Sequence, residues 1–164
     1  MLKVVSNSSP IIHLNKLGYL HLLETLYKKV YITRWVFEEC TNDSQQTPEI
    51  LEEIEVIKKT SFIEICEIEN SVLFLTLSKL VDEGEASAIV LALEKQADFI
   101  LLDETDGREL ADVHNLNYIG TIGILLKARE MELIDLSVPD ILNNLKMTGF
   151  YISKKLEKNI LENF

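Results

Sequence analysis

Four residues of this chain carry side-chain oxygens at the borders of apolar segments. Asn7 follows the run Leu2-Lys3-Val4-Val5, and Asp103 follows Phe99-Ile100-Leu101-Leu102. Glu39 and Glu85 lie between them in stretches of helical character. Hard oxygen ligands drawn from separate elements suit Mg2+ or Mn2+, which position a phosphodiester, activate water and stabilise a leaving oxygen. Other chemistries lack their residues. His13, His21 and His114 do not have metal-ligand spacing and read as surface or helix-end residues. No phosphate-cradling glycine loop or nucleophile elbow is present.

Each candidate also has a structural role open to it. Asn7 can make an Asx turn, or cap a helix starting near Pro10. Stepping about 100° per residue from Thr33 places Trp35, Val36, Phe37 and Cys40 on a buried face, with Glu39 at its border and Glu38 pointing away. A carboxylate beside the core needs a partner or a cation, which favours Glu39 over Glu38, although a rim glutamate can also keep its head in water. Asp82-Glu83-Gly84-Glu85 resembles a capping box, yet Gly84 lets a backbone approach and Glu85 opens an apolar helix. Asp103 is the strongest candidate, because an acid directly after the most apolar strand lies at a binding edge; its alternative is an N-cap with Asp106 three residues on. Glu104 and Asp106 are reserves. Arg108, one turn into the next helix, either holds a phosphate or pairs with these acids.

The elements that must position these residues alternate. Strands are predicted at the first apolar run, at Val30-Tyr31-Ile32, over 62–66, over 99–102 and at Tyr118-Ile119. Helices are predicted after Asn7, at Leu20 to Leu26, over 34–40 with Thr33 as N-cap, from Pro48, over 72–80, over 85–96, over about 104–114 and over 121–130. Two amphipathic segments flank Gly149. The helix over 85–96 is apolar nearly all round and is expected in the interior. Uninterrupted apolar strands suit a sheet buried on both faces, so the chain reads as one α/β domain with a mainly parallel sheet. In such sheets ligands bind outside the carboxyl ends of the strands, where Asn7 and Asp103 fall.

The chain has 164 residues, 47% of them hydrophobic, enough for a single core. No apolar run approaches the roughly 20 residues of a membrane span, and the start has no signal-peptide pattern. A cytoplasmic protein without membrane contact is expected, with Cys40 and Cys66 as buried free thiols. The net charge of −11 argues against simple electrostatic binding of nucleic acid, except where bound cations invert the local field.

The run from Val4 to Leu14, VVSNSSPIIHL, resembles the opening of PIN-domain proteins, particularly a PIN-like branch related to VapC-type toxins. The likeness continues through Val36-Phe37-Glu38-Glu39, Gly84 to Ile89, Leu101-Leu102-Asp103-Glu104, Arg108, Ile119 to Leu125 and Gly149 to Ser153. The resemblance implies a three-layer α/β/α fold and a Mg2+- or Mn2+-dependent endoribonuclease, the toxin of a toxin–antitoxin pair. It places the family's four site positions on Asn7, Glu39, Glu85 and Asp103, with Glu39, Glu85 and Asp103 on the metal. Ser8 and Arg108 are then the candidates for substrate contact. The expected partners are RNA, an antitoxin protein and a second copy of the chain in a homodimer. Where the family usually has an aspartate this chain has Asn7, which brings an oxygen but no charge. That difference favours a rival, a PIN-like module that binds RNA or protein without turnover. A further rival is a phosphatase using Asp103 as nucleophile, since Asp103-Glu104-Thr105-Asp106-Gly107 loosely resembles the haloacid-dehalogenase-like motif, with two residues between the aspartates instead of one.

Overall fold

The computed structural model describes residues 1–164. Strands β1 (Val4–Ser6), β2 (Val30–Thr33), β3 (Ile63–Cys66), β4 (Phe99–Leu101) and β5 (Tyr118–Ile119) form one sheet in the order β3-β2-β1-β4-β5, with every pairing parallel. Val4, Val5 and Ser6 of the central strand are all fully buried. Successive strand residues point to opposite faces, so both faces of the sheet are covered. The result is an α/β/α sandwich.

Ten helices supply the outer layers: α1 (Ser8–Lys16), α2 (His21–Tyr27), α3 (Arg34–Thr41), α4 (Pro48–Lys59), α5 (Ser71–Leu77), α6 (Glu83–Lys95), α7 (Thr105–Val113), α8 (Thr121–Glu130), α9 (Val138–Met147) and α10 (Lys154–Asn163). As its composition requires, α6 is interior. Every residue from Gly84 to Ala92 is buried, and the helix lies against β1, β2 and β4 while packing on α3, α5 and α7. None of the helices is long and apolar enough to cross a membrane.

The strand order sets the position of the site. From β1 the chain moves outward through β2 and β3, then returns to the other flank of β1 for β4 and β5. The reversal opens a crevice between β1 and β4 at their carboxyl ends. Ser6 is level with Leu101, and the Asn7 N–H donates to the Leu101 carbonyl at 3.0 Å. Asn7 and the Asp103–Glu104 pair therefore leave the sheet side by side.

Three local expectations are corrected. Helix α5 ends at Leu77, not Leu80; the chain turns there towards α6, and the apolar Leu80 that extended the pattern is 63% exposed. On α3 only Val36 and Cys40 are buried, whereas Trp35 and Phe37 are half-buried, with Trp35 against the Phe74 ring at 4.7 Å. Both thiols are free, but only Cys40 is buried.

One buried pair of hydroxyls fixes the two acid-bearing helices to each other. The Ser87 hydroxyl donates to the Gly84 carbonyl at 2.8 Å, so Thr33 donates to Ser87 across 2.6 Å and accepts the Val36 N–H at 3.2 Å. This single side chain caps α3 and ties it to the first turns of α6. Thr33→Val keeps the shape and removes both bonds, at a cost of about 1–2 kcal/mol. The expected drop in melting temperature is roughly 2–8 °C in a chain of this size. A melting curve that coincides with that of the wild type would show that the pair contributes nothing.

Candidate active site

Asn7 stands at the N-cap position of α1 with extended backbone, yet its side chain makes no cap bond. Its Nδ2 instead donates to Glu104 Oε2 at 3.3 Å. Its Oδ1 is buried without a partner, in a residue only 2% exposed. An unpaired buried oxygen is costly, so neither the turn nor the cap explains this side chain.

The next residue reaches α3. Ser8 Oγ donates to Glu39 Oε2 at 2.6 Å. The Glu39 carboxylate lies against Gly84, where a Cβ would collide with both its oxygens. Glu39 as a whole residue is exposed, as Glu38 is, but only Glu39 has partners here. Desolvation of its carboxyl raises its pKa, with the Asp82 and Glu104 charges adding and Ser8 and the Gly84 backbone opposing.

Glu85 completes half of a capping box. Its N–H donates to Asp82 Oδ1 at 2.8 Å, while its own Oε1 is buried and unpartnered, resting against Gly107 of α7. At 4% exposure the carboxyl is pushed up to about 7, by burial first and then by the charges of Glu104, Asp82, Asp106 and Glu39. Glu104 is also raised, mainly by desolvation. The Asn7–Glu104 and Ser8–Glu39 pairs and Glu85 thus lie in one region, with Asp82 and Asp106 near enough to add their charges.

Asp103 takes a different direction. Ser9 Oγ donates to its Oδ2 at 2.9 Å, Thr121 Oγ1 to the same oxygen at 2.7 Å, and the Thr121 N–H to Oδ1 at 2.7 Å. It is not the cap of α7; it receives the first amide of α8, whose own N-cap residue, Gly120, has no side chain to offer. Arg108 does not pair with the acids. Its Nε donates to the Leu102 carbonyl at 3.0 Å, and its guanidinium lies 5.2 Å from the Tyr118 ring centre. Ser9, Thr121 and Asp82 were not among the candidates read from the sequence. The bare Gly120-Thr121 helix start was a signal for Asp103, since a capless buried helix start needs an acceptor from elsewhere. Of the two expectations for His13, the helix-end one holds: it lies in the last turn of α1, half-buried.

The unpartnered oxygens of Asn7 and Glu85, with the carboxylates of Glu39 and Glu104 nearby, are oxygen groups of the kind a hard divalent cation takes. These residues fit such an ion by chemistry, although no three acidic, histidine or cysteine side chains close on a common point. Desolvation and mutual repulsion raise the three carboxyls.

The profile of a family described as PIN domain matches residues 3–164. No curated protein matches the chain.

The raised Glu85 carboxyl has a consequence for stability. Its ordinary value is 4.5 and its folded value about 7. Between these the folded protein holds a proton that the unfolded chain has lost, so stability is full below about pH 4.5 and falls as pH rises through 7. Glu85→Gln removes this contribution. Without metal, the two proteins should melt alike near pH 4.5, and the variant should be the more stable at pH 8, on the order of 3 kcal/mol. Parallel pH–melting profiles would refute the raised value.

Proposed function

The chain belongs to the PIN-domain family, and from that we propose that it is a Mg2+- or Mn2+-dependent endoribonuclease acting as the toxin of a toxin–antitoxin pair. PIN domains as a class are nucleases. The observation that carries the finer reading is the pair of buried, unpartnered oxygens, Asn7 Oδ1 and Glu85 Oε1, at the switch point of the sheet.

In this reading Glu39, Glu85 and Glu104 hold the metal together with Asn7 Oδ1. The bound ion would lower the pKa of a water and stabilise the leaving oxygen. Ser8 orients Glu39 by its hydrogen bond, and the Asn7 amide does the same for Glu104. Asp103 was expected on the metal. With three hydrogen bonds to Ser9 and Thr121, it enters the proposal as the residue that fixes the loop from which Glu104 projects. Arg108, already anchored by its Nε, presents its remaining N–H groups to a phosphate. The same commitments weigh against Asp103 as a phosphatase nucleophile, which needs a free oxygen.

A second reading is favoured by one residue. Asn7 supplies no charge, which suits a PIN-like module that binds RNA or protein without turnover. The exposed apolar side chains Val72, Leu75 and Leu80 support a partner surface, for which a second copy or an antitoxin is proposed.

Incubation of the protein with single-stranded RNA separates these readings. Cleavage is expected with Mn2+ or Mg2+ and should stop in EDTA. Glu104→Gln should lower the rate at least 100-fold, an effect of about 3 kcal/mol on the barrier. Asp103→Asn should lower both rate and melting temperature, because it disturbs a braced loop. RNA retained but uncut in the presence of metal would establish the binding module, and cleavage that survives EDTA would end the metal-dependent mechanism.

A further inference from the structure

Beside the acid cluster lies a cleft of 780 Å3 whose rim carries Glu104 and Arg108 and whose aromatic interior has no part in the mechanism above. Its walls come from the ends of β4 and β5, from α1, α7, α8 and α10, and from the segment that runs from Gly149 to α10. Glu104 and Thr105 border both this cleft and the acid pocket around Asp82 and Glu85, so these two residues form the wall that the two spaces share. We infer that the cleft receives one nucleobase of a single-stranded RNA, the base next to the phosphate held at the acid cluster. This rests on the nuclease reading above.

The size is right for a small planar ligand, since sites for small molecules span roughly 300–1,000 Å3. The lining is of the kind that holds unpaired bases, which stack on aromatic side chains and hydrogen-bond along their edges. Tyr118, Phe150 and Tyr151 contribute aromatic rings, in a chain whose aromatic content is only 7%. Tyr151 is 84% exposed.

The polar groups are set in advance. The Thr148 hydroxyl donates to the Leu145 carbonyl at 2.7 Å, so it can only accept from His13 Nδ1, also at 2.7 Å. That bond fixes the proton on Nδ1. Burial lowers the pKa of the imidazole, which keeps the ring neutral. Its Nε2 is therefore an acceptor with no partner in the protein, suited to a base N–H. Phe150 holds the imidazole edge-on at 5.0 Å.

Charge supports the same occupant. In a chain of net charge −11, Arg108 lines the cleft, and Lys154 and Lys155 directly follow the lining residue Ser153. A polyanion with flat bases meets cations and rings here; of the two acids on the wall, Asp103 is held by three hydrogen bonds from Ser9 and Thr121, and Glu104 belongs to the acid cluster.

The test uses the full chain in EDTA, so that binding is read apart from cleavage, with the four nucleoside 5′-monophosphates as probes. At least one should bind, as seen by saturation-transfer NMR and calorimetry. Phe150→Ala and the exposed, fold-neutral Tyr151→Ser should each weaken it about 10-fold, the loss of one stacking partner. Their melting response to Mn2+ should match that of the wild type. On single-stranded RNA of mixed sequence, the wild type should cut beside a preferred base and the two variants should lose that preference. The inference is overturned if none of the four nucleotides binds at millimolar concentration, or if both variants bind as the wild type does. Cleavage without nucleotide binding would remove the base site and leave the nuclease reading intact. Nucleotide binding without cleavage would do the reverse.

Discussion

Carboxylates brought together without a cation repel one another, and the region around the sheet's switch point is organised by that repulsion. Glu39, Glu85 and Glu104 come from three separate elements, and all three carboxyls are raised by desolvation together with neighbouring negative charge. Such a cluster can persist only where the scaffold is stiff enough to oppose it. The scaffold here is α6, buried along nine consecutive residues, and the Thr33–Ser87 hydroxyl pair that joins it to α3. The two buried oxygens without partners lie at the centre of the strain. Stability is given up at the site and recovered in the layer beneath it.

This arrangement divides the acids of one short loop between two tasks. Asp103 and Glu104 are adjacent in sequence, and alternation at the end of a strand turns their side chains in different directions. Asp103 serves the fold through Ser9 and Thr121, whereas Glu104 accepts from Asn7. A carboxylate saturated by neutral donors carries little penalty, while one left among its own kind is available to a cation.

Much of the architecture was legible in the residues. The apolar runs before Asn7 and Asp103 gave two adjacent strands, the α6 segment declared its burial by lacking a polar face, and Thr33 as a cap and Pro48 as a first helical residue marked the starts of α3 and α4. The resemblance to PIN domains agreed with the family match over residues 3–164. What remained illegible was direction at the tips. Whether Asp103 or Glu104 faces the cluster depends on a bond to Thr121, 18 residues away, which no local periodicity encodes. The border position of Glu39 on the helical wheel did separate it from Glu38: both residues are exposed, but the one beside the apolar face is the one whose carboxylate meets Ser8 and Gly84. The end of α5 was missed for the opposite reason: Leu80 is apolar and yet exposed, so the pattern ran past the turn.

Two of the glutamates rest where a helix has no side chain. The Glu39 carboxylate occupies the space that a Cβ on Gly84 would fill, and Glu85 does the same at Gly107. Neither glycine has the left-handed backbone that usually explains the residue. Their role is to be hollow. In evolutionary terms each is a lock without a visible key: the helix would tolerate alanine and even gain propensity from it. A first methyl group would displace the Glu39 carboxylate at Gly84, and at Gly107 would displace Glu85 and press on Leu102 at 3.0 Å. A lineage that has lost the chemistry is therefore free to fill these two hollows, and one that retains it is held to glycine by the acid next door.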